Sequence, residues 1–279
     1  MTTMRFFLTS YILGLSTLLL IFACSSPESN LLTVQKDGHV VLIGNNLGSR
    51  MMNYGFFETE LQLRYPDSLL VIRNMCDGGN TPGFRPHSGR VSPWAFPGAT
   101  QFYSELATNS GSQGHFKSPD QWLSNLQADL IIAFFGYNES FQGEEGIDLY
   151  KNELEAFIAH TFSQQYNGHS PPQLALVSPI AFQDLSSQFD LPNGQKENTN
   201  LSLYAAAMKE VAEQNNVLFV DAFTTTKNWF DESELALTID GSQLNETGYQ
   251  RFSSFLVDQL FGKTSAVSNH FDLVHEAVM

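Results

Sequence analysis

Leu130-Ile-Ile-Ala-Phe-Phe135 is an unbroken apolar run that leads directly into Gly136-Tyr-Asn-Glu139. A short run in which every side chain is apolar is typical of a strand buried on both faces, as in a parallel sheet. In open parallel sheets ligands bind beyond the carboxyl ends of the strands, so Asn138 and Glu139 lie where chemistry is expected. The run therefore predicts a parallel sheet with a functional edge.

Four further apolar runs extend this prediction to a sheet of about five strands. They are His39–Ile43, Leu69–Ile72, Leu174–Val177 and Val217–Val220. Stretches with apolar residues at three- and four-residue spacing predict helices between and after them, near 50–64, 120–126, 148–162, 200–215 and 248–260. The alternation predicts an α/β fold: a flavodoxin-like three-layer α/β/α sandwich around a parallel sheet.

Composition excludes several classes of protein. The chain has 279 residues, with 14 basic against 29 acidic side chains and a formal charge of −15. This charge opposes binding to nucleic-acid phosphates, so no nucleic-acid partner is expected. An aromatic content of 13% is too high for a disordered acidic chain. The sequence shows no His, Cys, Asp and Glu cluster with ligand-like spacing, so neither a metal nor another cofactor is predicted.

The N-terminal residues resemble a bacterial export signal. Arg5 precedes an apolar run from Phe6 to Phe22, and Ile21-Phe-Ala-Cys24 is similar to a lipobox, in which cleavage leaves a lipidated cysteine. The polar residues 25–30 lack the charge cluster of a stop-transfer segment. We expect a lipoprotein anchored in a membrane of the bacterial cell envelope, periplasmic or surface-facing. The alternative is that Cys24 is only a small apolar residue in an uncleaved anchor.

The sequence predicts one large domain behind this signal. The predicted parts are a signal peptide (1–23), a lipidated N-terminus and tether (24–37), an α/β domain (38–262) and a C-terminal tail (263–279). Within the domain, residues 82–119 are rich in Pro, Gly, Ser and aromatic residues without clean periodicity. Because loops of this length usually cover a site or are disordered, and because aromatic residues favour packing, we expect an insertion over the functional edge.

Four turns at predicted strand ends carry polar residues in a particular order. They are Gly44-Asn45-Asn46-Leu47, Asn74-Met-Cys-Asp-Gly-Gly79-Asn-Thr81, Gly136-Tyr-Asn138-Glu139 and Asp240-Gly-Ser-Gln243-Leu-Asn245. Together they resemble the SGNH/GDSL hydrolase family, whose turns read Gly-Asp-Ser-Leu, an Asn-x-x-x-x-Gly-Asp-Thr-like run, Gly-x-Asn-Asp and Asp-x-x-His. The resemblance covers nearly the whole chain after the tether. It implies that family's fold and its acyl-transfer chemistry on ester bonds.

The resemblance also implies a role for each matching position. In the family a serine attacks the ester, a histidine held by an aspartate takes its proton, and an oxyanion hole receives the developing charge. Gly79 and Asn138 match the oxyanion donors and Asp240 matches the aspartate, but Asn46 replaces the serine and Gln243 replaces the histidine. A carboxamide is neither a comparable nucleophile nor a base near neutral pH, so the ordinary mechanism is absent.

Three hypotheses about function follow. The first is an esterase-like lipoprotein that acts on ester bonds, such as those of acylated carbohydrate, through a rearranged site in which Ser49, Ser140 or Ser242 pairs with His87 or His115. The second is a binding module without catalysis that holds a glycan or acylated ligand, with Asn45 and Glu139 as additional ligand-binding residues. The third is a scaffold in a membrane-attached complex, with residues 82–119 as its contact surface.

Other side chains near the turns have two interpretations each. Arg50, Glu58 and Arg73 flank the first two turns, where they either form a buried ion pair beneath the site or remain surface charges. Phe141, together with Trp94 and Phe96, forms either a platform for a sugar ring or part of the packing under the insertion.

Overall fold

The computed structural model describes residues 31–83, 119–232, 235–263 and 270–279. Within them, five strands form one parallel sheet in the order β2-β1-β3-β4-β5. The strands are β1 (His39–Gly44), β2 (Val71–Asn74), β3 (Leu130–Phe134), β4 (Gln173–Val177) and β5 (Leu218–Val220). The predicted α/β fold is confirmed, and the strand order is the flavodoxin-like one.

Helices connect these strands. They are α1 (Asn46–Met51), α2 (Phe56–Arg64), α3 (Pro119–Asn125), α4 (Ile147–Ser163), α5 (Gln195–Gln214), α6 (Ala222–Glu232), α7 (Glu246–Phe261) and α8 (Phe271–Val278), with a 3₁₀ helix at Glu139–Gly146. The single helix predicted over 50–64 is two helices, because Gly55 adopts a φ of 61° between them. Helix α5 begins earlier than predicted, since its polar first turn carries no apolar periodicity.

Two hydrophobic cores lie on opposite faces of the sheet. Because side chains alternate along a strand, Val41 and Ile131 pack with α3, α4 and α5, whereas Val40 and Ile132 pack with α1, α2 and α7. Burial on both faces explains why the strands are apolar at successive residues. None of the helices in the described ranges is long and apolar enough to cross a membrane.

The C-terminal segment adds a helix that the sequence did not predict. On α8, His275 stacks on Phe56 of α2 with ring centroids 4.7 Å apart, and its Nδ1 lies 3.0 Å from Oγ1 of the buried Thr59. Several predictions fall outside the described residues: the signal peptide, Cys24, and most of the 82–119 insertion, including His87, Trp94, Phe96 and His115.

Candidate ligand-binding site

The turn between β1 and α1 is fixed by a glycine that no other residue can replace without strain. Gly44 has a φ of 118°, and a Cβ there would lie 2.1 Å from the carbonyl oxygen of Phe134 on β3. The close approach lets the Asn45 backbone N–H donate to that carbonyl at 2.9 Å, while the Asn45 Oδ1 accepts from Leu47 N–H at 3.2 Å and caps α1. Asn46, at the nucleophile position, is thereby held as the first residue of α1.

The second and third turns are tied to the first through Asn80. This side chain is fully buried, and its Nδ2 donates to the Gly44 carbonyl at 2.9 Å. Its backbone carbonyl accepts from Asn138 Nδ2 at 2.8 Å. A carboxamide nitrogen has two N–H groups, so Asn138 keeps one beyond this bond. Asn80 was not singled out from the sequence, although it directly follows Gly79 in the motif that carries the resemblance.

In the loop at Asp240, the aspartate is in direct contact with Gln243, a side chain that cannot act as a base near neutral pH. The Asp240 Oδ1 accepts from the Ser242 backbone N–H (2.9 Å), the Ser242 hydroxyl (3.0 Å) and the Gln243 backbone N–H (2.8 Å). Its Oδ2 accepts from Gln243 Nε2 at 2.8 Å. Because an ionised carboxylate can only accept, Gln243 must face it with its nitrogen. Gln243 is therefore a fixed donor to Asp240, with its Oε1 left as an acceptor.

A second glutamine, Gln183, holds this loop from below. Its buried Oε1 accepts from the Leu237 backbone N–H (2.9 Å), the Thr238 backbone N–H (3.0 Å) and the Thr238 hydroxyl (2.9 Å). Its backbone N–H also donates to the Gly241 carbonyl at 2.8 Å. Gln183 lies in none of the four motifs, so no sequence signal marked it. It positions the Asp240 loop without lining the pocket.

A cavity of about 70 Å³ opens between these turns. This volume holds several water molecules, or a ligand group of that size. Its polar wall comprises Asn45, Asn46, Arg50, Ser178, Ser242, Gln243 and Tyr249, and its apolar wall includes Phe134, Pro179 and Ile180. Of the predicted site residues, the cavity wall thus brings together Asn45, Asn46 and Gln243. Among the described residues, neither a histidine nor Gly79 nor Asn138 forms part of this wall, whereas Tyr137, beside Asn138, does.

Arg50 is the cationic side chain of the wall. It lies one turn after Asn46 on α1, and its Nε is buried without a hydrogen-bond partner among the described residues. The hydroxyl of Tyr249 donates to the Leu47 carbonyl at 3.0 Å. Burial raises the pKa of this phenol, whereas the charge of the Arg50 guanidinium and a hydrogen bond with the Arg50 side chain oppose the rise. Within the described ranges, none of Arg50, Glu58 and Arg73 takes part in a salt bridge. Burial raises the pKa of Glu58, although the charge of Arg73 lowers it.

Glu139 lies behind the site rather than in it. Its side chain is 4% exposed, and its Oε2 accepts from the Gly136 backbone N–H at 2.9 Å. Burial raises the pKa of Glu139 to about 8, although bonds from its own and the Gly136 backbone N–H groups lower it, and Glu153 adds to the rise. Most of this carboxyl is therefore protonated at pH 7. It supports the third turn from inside, and its ligand-binding role stays a prediction.

The described residues contain no group of three or more His, Cys, Asp or Glu side chains that could hold a metal ion. The site that the structure does describe is a small polar pocket at the carboxyl edge of the sheet. Its wall includes the carboxamides of Asn46 and Gln243 and one arginine, and a neighbouring turn carries Asn138.

This architecture is that of the SGNH/GDSL-type hydrolases. No protein-family model and no curated protein sequence matches the chain. Among solved structures, it is similar to LAE5, an α/β hydrolase enzyme from the metagenome of Lake Arreo, with 14% identity, a TM-score of 0.56, and coverage of 83% of this chain and 98% of that one. A protein described as a GDSL-like lipase from Parabacteroides merdae has 15% identity and a TM-score of 0.56, with 82% and 98% covered.

The acetylxylan esterase Axe2 from Geobacillus stearothermophilus has the same fold, with 14% identity, a TM-score of 0.54, and coverage of 85% of this chain and 100% of that one. The match therefore spans the whole length of the esterase. At this identity the likeness establishes the fold, and the chemistry has to be argued from the side chains of this chain.

Proposed function

We propose that this protein is an envelope lipoprotein that binds a carbohydrate-derived ligand, a glycan or an acylated sugar, in an esterase-like pocket without cleaving it. The observation that carries the proposal is the 2.8 Å bond from Gln243 Nε2 to Asp240 Oδ2. A histidine in that place would accept a proton from the nucleophile. Gln243 cannot do so, and Asn46 offers no nucleophile for it to activate.

The rest of the pocket is suited to binding. In enzymes that use a serine–histidine pair, removing one member typically lowers turnover by about a millionfold and leaves the binding contacts in place. Here Ser242, Asn46 and Gln243 still present hydrogen-bonding groups beside the apolar side chains of Pro179 and Ile180. Such a mixture of few polar groups and apolar walls is typical of small-molecule sites.

An exposed aromatic side chain at the rim supports a sugar as the ligand. Phe141 is 72% exposed, and its ring meets Tyr137 of the pocket wall edge to face, with centroids 5.5 Å apart. An exposed aromatic ring offers a flat apolar face on which a ligand can pack. The apolar face of a sugar ring packs in this way. That the neighbour Axe2 and its variants are named for acetylated xylan or xylo-oligosaccharides agrees with this choice.

Ester hydrolysis by a substitute nucleophile is the second candidate. Ser242 lines the pocket, and its hydroxyl lies 3.0 Å from Asp240 Oδ1. A carboxylate alone is a weak base for a serine. We therefore expect no hydrolysis by Ser242 unless a histidine outside the described ranges acts as its base.

The test is to measure binding and turnover on the same preparation. The full chain, purified in detergent, is melted with xylo-oligosaccharides, their acetylated forms and other glycans, and is assayed on aryl acetates. We expect a ligand-dependent rise in Tm, no hydrolysis above buffer, and loss of the Tm shift in Asn46→Ala. Asn53→Ala, at an exposed asparagine just past the same helix, is the matched control.

Two results would contradict the proposal. Turnover that disappears in Ser242→Ala would make the protein an enzyme by the second route. A melting temperature unmoved by every glycan would leave the pocket without the proposed ligand.

The membrane location is a separate part of the proposal, supported by Ile21-Phe-Ala-Cys24. In a bacterial host, labelling with an alkyne palmitate analogue should mark the chain. Cys24→Ser should remove the label, although the variant is still produced and detected in the cell fractions. Unlabelled wild-type protein would show that Cys24 is not acylated.

A further inference from the structure

We infer that the group held inside the pocket is a carboxylate, bound by Arg50 and Asn46, so that the ligand is an acidic sugar such as a uronate. This inference rests on the proposed binding function and adds the charge of the ligand.

The first observation is the state of Arg50. Its Nε is buried at the pocket wall and has no hydrogen-bond partner among the described residues. A buried donor on a charged group that makes no bond is costly, and a ligand oxygen would remove that cost. Arg50 also forms no salt bridge with any described acidic side chain. Arg50 also interacts with the hydroxyl of Tyr249, so within the described ranges its Nε is the donor that remains for a ligand oxygen.

The second observation is the arrangement of donors. Asn46 and Arg50 are four residues apart on α1, so their side chains project from the same face of the helix, and both line the pocket. The guanidinium presents a planar fork that matches the two oxygens of a carboxylate. The Asn46 amide adds a further donor on the same side.

The third observation is that the acidic groups nearby are already committed. Both Asp240 oxygens accept hydrogen bonds from Ser242 and Gln243. Glu139 is buried behind the third turn with its Oε2 on Gly136 N–H. Neither forms a salt bridge with Arg50 in the described structure. Arg50 therefore makes the electrostatic potential at this part of the pocket wall more positive, although the protein as a whole is acidic.

Another side chain of the pocket wall, Gln243, favours hydroxyl groups. Because Gln243 Nε2 donates a hydrogen bond to Asp240, the Gln243 Oε1 is left as a hydrogen-bond acceptor. A ligand that carries both a carboxylate and hydroxyl groups can satisfy Arg50 and Gln243 together, and a uronate carries both. A free short-chain carboxylate shares the first half of this chemistry without the second.

The experiment compares acids with their neutral counterparts by calorimetry on the full chain in detergent. The probes are methyl glucuronoside, its methyl ester, and propionate. We expect the acid to bind at least about tenfold more tightly than the ester, and Arg50→Gln to abolish this preference. Arg50→Lys should retain part of it, and Arg73→Gln, at an exposed arginine on β2, should leave it unchanged.

Each outcome decides between the two claims. Equal binding of the acid and its ester overturns the carboxylate inference and leaves glycan binding standing. Arg50-dependent binding of propionate with no binding of either sugar supports the carboxylate site and overturns the sugar ligand. Absence of binding by all three probes overturns the inference, and the glycan panel above then decides the proposed function separately. The comparison of acid and ester uses wild-type protein, so it stands even where Arg50→Gln fails to fold.

Discussion

The turn after β3 and the loop at Asp240 both carry motif residues of the candidate site, but they are built in different ways. The turn after β3 keeps the asparagine at Asn138 and is anchored to the other turns through Asn80. In the Asp240 loop, the aspartate accepts from Gln243 Nε2, the side chain that the family resemblance aligns with a base. The first region is held together by hydrogen bonds between turns, and the second by hydrogen bonds within one loop.

This difference separates the structural from the chemical requirements of the fold. Gly44, Asn80 and Gln183 shape the turns. Gly44 permits the close approach of β1 to β3, Asn80 links the Gly44 carbonyl to Asn138, and Gln183 accepts from backbone N–H groups of the Asp240 loop. Asn46 and Gln243 are half-buried at the pocket, where a change of side chain alters chemistry more than stability.

The strongest way to test the comparison is to restore the reacting groups. The double variant Asn46→Ser with Gln243→His should gain hydrolysis of aryl acetates by at least about a thousandfold over wild type, because nucleophile, base and Asp240 would again be aligned. Each single variant should stay near the wild-type level, since neither group works without the other. A double variant that folds and remains inactive would show that the loop geometry has diverged as well as the side chains.

Gly44→Ala should cause the largest loss of stability. Its methyl group would lie 2.1 Å from the Phe134 carbonyl at a φ of 118°, so β1 and β3 would have to separate. We expect a loss of about 4 kcal/mol in the free energy of unfolding, measured by urea titration. Gly78→Ala is the matched control, because nothing lies within 4 Å of a Cβ at that position. Similar losses in the two variants would contradict the close approach of the two strands at Gly44.

Glu139 should make stability depend on pH. Its pKa rises from 4.5 to about 8 on folding, so the folded state binds the extra proton in that range. Stability therefore falls as pH rises through about 4.5 to 8, and the loss is complete above the folded pKa. Between pH 5 and 8, wild-type protein should lose about 3 kcal/mol more than Glu139→Gln. Glu144→Gln, on the exposed face of the same 3₁₀ helix, should follow wild type; equal slopes for wild type and Glu139→Gln would contradict the buried, protonated carboxyl.

Gln183→Ala should loosen the Asp240 loop with a smaller cost. Three donors on Leu237 and Thr238 would lose their acceptor, which we expect to lower stability by about 2 kcal/mol. Hydrogen exchange of the amides over 236–244 should speed up more than exchange in β1 or β3. Gln188→Ala, at an exposed glutamine, is the control, and a uniform change over the whole chain would assign Gln183 to the core instead of the loop.

The sequence predicted the sheet well because its signals are local. Runs such as Leu130–Phe135 are apolar at successive residues, and burial on both faces leaves no other pattern for a central strand. It predicted the helices less well where local signals were weak. Gly55 interrupts an otherwise regular apolar pattern, and α8 is stabilised by contacts with Phe56 and Thr59 far away in the chain.

The candidate site was predictable only in part, for a similar reason. The motifs identified Asn46, Asn138 and Gln243, because the resemblance is carried by short turns. They could not show that Gln243 Nε2 donates to Asp240, or that the Glu139 side chain faces the interior, since both depend on side-chain direction. Gln183 supports the Asp240 loop across more than 50 residues, a distance over which no motif extends.

The bond between Gln243 and Asp240 has a consequence for how such a protein would behave in its surroundings. A histidine in this place would change its charge between about pH 5 and 8, whereas a carboxamide does not. If the pocket binds a ligand as proposed, protonation at this position therefore does not release it. For a ligand that is bound reversibly and not cleaved, occupancy of the pocket is set by the free ligand concentration and the Kd. Occupancy would then report how much ligand is present rather than how fast it is consumed.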